Sequence, residues 1–86
     1  MSFIEILTKS TKQESFNTTN GWGFGGTIGT TFTFDNGITL TYGTTFYRHL
    51  NPSKFCRVRK DGEEVIYASK LSLSGKQLEK LENLLK

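Results

Sequence analysis

One cysteine, one histidine, one proline, one methionine and one tryptophan are spread over 86 residues. Cys56 alone closes no intrachain disulfide, and Cys56 with His49 falls short of the four ligands a structural zinc site needs. No metal or other cofactor is expected. Long apolar runs are missing too. The opening MSFIEILTKS carries Glu5 inside its apolar patch, and that patch is too short for a signal peptide or for a span of about 20 residues. The expectation is a soluble cytoplasmic protein of a reducing compartment with no membrane partner. The length allows one small domain, residues 1–86, with a single modest core.

What is present is β-rich. Thr27–Phe34 and Ile38–Phe46 are dense in Thr, Ile, Phe and Tyr and read as two strands around Asp35-Asn36-Gly37. A two-residue turn would set Phe34 against Thr39 and mix the faces. A three-residue loop sets Phe34 against Ile38, Phe32 against Leu40 and Thr30 against Tyr42, so that register is expected, with Gly37 in the left-handed position. The opposite face then carries Thr31, Thr33, Thr39, Thr41 and Thr45. Phe55–Lys60 and Glu64–Ser69 read as a second hairpin about Asp61-Gly62, pairing Arg59 with Glu64, Val58 with Val65 and Cys56 with Tyr67. On that register Ile66 faces outward beside Arg57 and Arg59, while Cys56 is a buried small hydrophobe.

The C-terminus reads as a helix. Ser74 and Gln77 form a capping box, Leu73 and Leu78 a hydrophobic staple, and Leu78, Leu81 and Leu85 an apolar stripe. Residues 3–7 fit a short strand or a first helical turn. Residues 8–20 are polar and read as loop-like or weakly helical. The expected fold class is α+β: an antiparallel meander of four strands, five if residues 3–7 join it, with one C-terminal helix on a face of the sheet.

Charge is unevenly placed. Residues 1–47 carry a net −1 and residues 61–86 also −1, so residues 48–60 supply +5 of a chain whose total is +3. That block holds Arg48, Lys54, Arg57, Arg59 and Lys60, no acid, and is interleaved with Tyr47, His49 and Phe55. Cations for phosphates and rings for bases suit single-stranded or looped RNA. The bland alternative is a solvated strand face that keeps sheet edges apart.

Gly21-Trp22-Gly23-Phe24-Gly25-Gly26 matches G-x-G-x-x-G, but a strand follows it rather than a helix, so no dinucleotide site is expected. Trp22 and Phe24 are instead candidates for core packing or for stacking on bases.

Three functions compete. A non-catalytic RNA- or other nucleic-acid-binding protein would use the basic residues on phosphates and Tyr47, His49, Trp22 and Phe24 on bases. A protein-binding inhibitor of a host enzyme or toxin would dock the basic patch on an acidic surface. A small ribonuclease would use His49 to move a proton. The composition, rich in Asn, Lys, Thr and Phe, looks like that of a bacteriophage accessory protein countering a host defence. Two hairpins with free strand edges also make the chain a candidate for a symmetric dimer.

Overall fold

A computed structural model describes residues 2–19, 25–47 and 51–86. Five strands form one antiparallel sheet in the order of the chain: β1 (Lys12–Thr19), β2 (Gly25–Thr33), β3 (Ile38–Tyr47), β4 (Ser53–Lys60) and β5 (Glu63–Ala68). Two helices, α1 (Phe3–Leu7) and α2 (Gly75–Leu84), complete the α+β fold. No helix among the described residues is long and apolar enough to cross a membrane.

The fifth strand is not where the sequence suggests. Residues 3–7 are helical, and the signal is present in the chain: Ser2 caps α1, its hydroxyl accepting the Glu5 backbone N–H at 3.2 Å. Ile6 is fully buried from this helix. The polar segment expected to be a loop instead supplies β1, which pairs with β2 from Lys12↔Thr33 to Thr19↔Gly26 without interruption. An edge strand is held by backbone hydrogen bonds on one side and needs no apolar face, so its composition resembles a loop.

The β2–β3 hairpin has the three-residue loop and the expected register, with Phe32↔Leu40 and Thr30↔Tyr42 paired. Phe34 donates its N–H to the Ile38 carbonyl at 2.8 Å. Asn36 joins Gly37 in the left-handed region, with φ of 66° and 72°.

The β4–β5 hairpin turns through Asp61 and Gly62, both at positive φ, as a type I′ turn requires. Its register departs from the expected one beyond Arg59↔Glu64. A bulge between Val58 and Arg59 shifts the pairs to Val58↔Ile66, Arg57↔Tyr67 and Cys56↔Ala68. Ile66 becomes buried and Tyr67 moves to the surface, so the bulge exchanges an exposed isoleucine for an exposed tyrosine, whose hydroxyl tolerates water.

The core lies on one side of the sheet. Phe32, Leu40, Val58 and Ile66 form a continuous row across β2–β5, closed over by Ile6 of α1 and by Leu73 and Leu81 around α2. Gln77 accepts the Ser74 backbone N–H at 3.2 Å, which is the expected capping contact. Helical cover stops short of the far end of the sheet. The molecule measures 43 × 23 × 22 Å, and Ile28 and Phe46, on the helix side by alternation, remain 47% and 41% exposed.

Candidate functional site

The side of the sheet away from the helices is open, and strand register arranges it in rows. One row runs Lys12, Thr33, Thr39, Arg59, Glu64. The next runs Glu14, Thr31, Thr41, Arg57, Tyr67. The third runs Phe16, Gly29, Gly43, Phe55, and the fourth Thr18, Thr27, Thr45, Ser53. This is the threonine face expected from sequence. Thr31 and Thr41 share a hydroxyl hydrogen bond of 3.0 Å, and Thr27 and Thr45 one of 3.4 Å.

The glycine row shapes the site. A Cβ on Gly43 would strike the Ile28 carbonyl oxygen and lie 2.8 Å from Gly29 Cα; one on Gly29 would lie 2.5 Å from the Tyr42 carbonyl oxygen. The strands therefore approach closely where side chains are missing, and the Phe16 ring lies against Gly29. Glycine flanked by cross-strand aromatics is a recurrent device for bending a sheet. The result is a trough of about 630 Å³ with Phe16 and Phe55 toward its sides and Arg57, Arg59, Lys54 and Tyr67 around it.

Its cations are not equivalent. Arg57 Nε lies 2.8 Å from Glu64 Oε1, although its N–H is not aligned for a hydrogen bond and the atom is buried. The Arg57 guanidinium carbon also sits 5.7 Å from the Phe55 ring centre and 5.8 Å from that of Tyr67. Arg57 thus lies between two rings and a carboxylate. Lys12 pairs with Glu14 at 2.6 Å, a hydrogen bond that raises the lysine pKa above its ordinary value. Arg59 and Lys54 make no ion pair among the described residues. Every described acid on this face is thus paired, and Arg59 remains uncompensated there.

The expected site residues separate accordingly. Arg57 and Arg59 share the open face. Lys54 pairs with Thr44, one step out of phase, yet lines the trough. Lys60 pairs with Ile38, on the other phase of the strand from Arg57 and Arg59, and does not line the trough. Arg48, His49, Trp22, Phe24 and the Tyr47 side chain lie outside the described residues. Sequence reasoning missed Tyr67, displaced by the bulge, and Phe16, hidden in a presumed loop.

Among the described residues, no three His, Cys, Asp or Glu side chains are grouped to hold a metal. Cys56 is buried on the helix side, and burial pushes its thiol up to about 12. The chain has no significant match among protein-family models, curated proteins or solved structures.

Proposed function

We propose that this protein binds single-stranded nucleic acid, without catalysis, along the trough of its open face. The observation that carries the reading is the combination there of Arg59, a cation without an ion-pair partner among the described residues, with rings at Phe55 and Tyr67 beside Arg57, and with Lys54 at the margin of the trough. Phosphates need uncompensated positive charge, and unpaired bases need accessible π-faces. Tyr67 is 48% exposed, so its ring is accessible for stacking beside the Arg57 guanidinium. The floor of glycine and threonine brings no bulk between a strand and the sheet, and its hydroxyls offer donors and acceptors to sugars and base edges. From Ser53 to Arg59 the trough is about 20 Å long at roughly 3.4 Å per residue, room for a few nucleotides.

The test is fluorescence anisotropy with labelled oligonucleotides across a salt series. Arg59→Gln and Lys54→Gln should each weaken binding and reduce the slope of log affinity against log salt by about 1. Tyr67→Ala should cost about 1–3 kcal/mol and leave that slope unchanged. Absence of binding at 50 mM salt, or binding indifferent to all three substitutions, would remove the proposal. A strict dependence on an acidic protein in place of oligonucleotide would do the same.

A further inference from the structure

The two edges of the sheet are treated differently. Along β5, the Gln77 side-chain amide donates to the Tyr67 carbonyl at 2.8 Å and Lys80 Nζ to the Val65 carbonyl at 3.0 Å. Side chains of α2 therefore occupy acceptors that another strand would use. Along β1 nothing comparable exists among the described residues. The strand runs Lys12–Thr19 with no proline, glycine or bulge, and its Lys12 and Glu14 neutralise one another. Such an edge is a template for a further strand.

We infer that two copies of this chain join through their β1 edges, antiparallel about a two-fold axis at Phe16, to form a continuous ten-stranded sheet. The register follows from geometry. An axis perpendicular to the sheet keeps the helices of both copies on one side, and directly opposed residues must then share a face. The axis must therefore pass through a residue and not between two. Two centres use nearly the whole strand: Ser15, which spans residues 12–18, and Phe16, which spans residues 13–19. Centring on Ser15 sets Glu14 against Phe16 twice. Centring on Phe16 sets ring beside ring, Glu14 against Thr18 of the second copy and Ser15 against Asn17 of the second copy. No like charges meet, and the only large apolar side chain of β1 gains an apolar neighbour.

Phe16 already has a local role in covering Gly29, so its presence alone would not argue for a dimer. The unprotected edge, the paired charges and the register do. The contact is isologous, and because β5 is capped at both outer ends of the joined sheet, assembly stops at two copies. The two troughs would open on the same side. This inference stands whether or not the trough binds nucleic acid.

Sedimentation equilibrium of the intact chain at tens of micromolar should give twice the 9.7 kDa of one copy. Oxidation of Phe16→Cys should then give a covalent dimer, since opposed positions in an antiparallel pair lie about 4.5–5.5 Å apart at Cα, within disulfide range. Should Phe16→Cys fold poorly, Glu14→Cys combined with Thr18→Cys should crosslink the same pair of chains, while Ser15→Cys should not. Buried Cys56 does not compete. A clean monomer, or a dimer that crosslinks through Ser15→Cys and through neither of the other variants, would overturn the inference.

Discussion

Gly43 and Gly75 are the same residue in opposite circumstances. A Cβ at Gly43 meets backbone of the neighbouring strand, whereas at Gly75, on the first turn of α2, it meets nothing within 4 Å. Gly43→Ala should therefore lower stability by about 1–3 kcal/mol, and Gly75→Ala should raise it by up to about 1 kcal/mol; denaturant titration reads both. Cys56 makes a second residue-scale case. Its thiol is held neutral at a pKa of about 12, against an ordinary 9.0, by burial. Unfolding lets it ionise, so its stabilising contribution is complete below pH 9 and is lost as pH rises from about 9 towards 12. Cys56→Ala should shrink the alkaline fall of the denaturation midpoint over that window. Native protein at pH 8 should resist alkylation until unfolded.

Among the elements, those with two independent signals were readable in advance. The β2–β3 register followed because only one loop length kept Phe32 and Leu40 on one face, and α2 because capping box, staple and leucine spacing agreed. Elements with one weak signal were not. β1 is polar because it is an edge, and α1 was ambiguous until Ser2 and Glu5 are taken together as its start. The bulge in β4–β5 had no local sequence mark: it is imposed by the demand of the core for Ile66 over an exposed Tyr67. The place of Tyr67 in the proposed site hinged on that slip. The capping of β5 by α2 can be tested on its own. Gln77→Ala with Lys80→Ala should cost about 1–3 kcal/mol, since Gln77 also caps α2, and should give species heavier than two copies in sedimentation velocity, whereas Lys80→Ala alone, which leaves the cap intact, should do so to a lesser extent.

At the scale of the whole molecule, charge count alone misleads. Five cations within residues 48–60 suggested one basic surface, but pleating sends Arg57 and Arg59 one way and Lys60 the other, and Glu64 offsets Arg57. Net positive charge on the open face survives only because Arg59 is left over, with Lys54 at the margin of the trough. The helices, meanwhile, guard just one pole of an elongated sheet, with Ile28 and Phe46 beyond their reach. Cohesion is consequently graded from one end to the other. Amide hydrogen exchange should therefore be slowest around Ile6, Leu40 and Leu81 and faster towards Ile28 and Phe46. Were the proposed trough filled near Ser53, the contacts would fall at the end that the helices leave bare, and an occupant would slow exchange there.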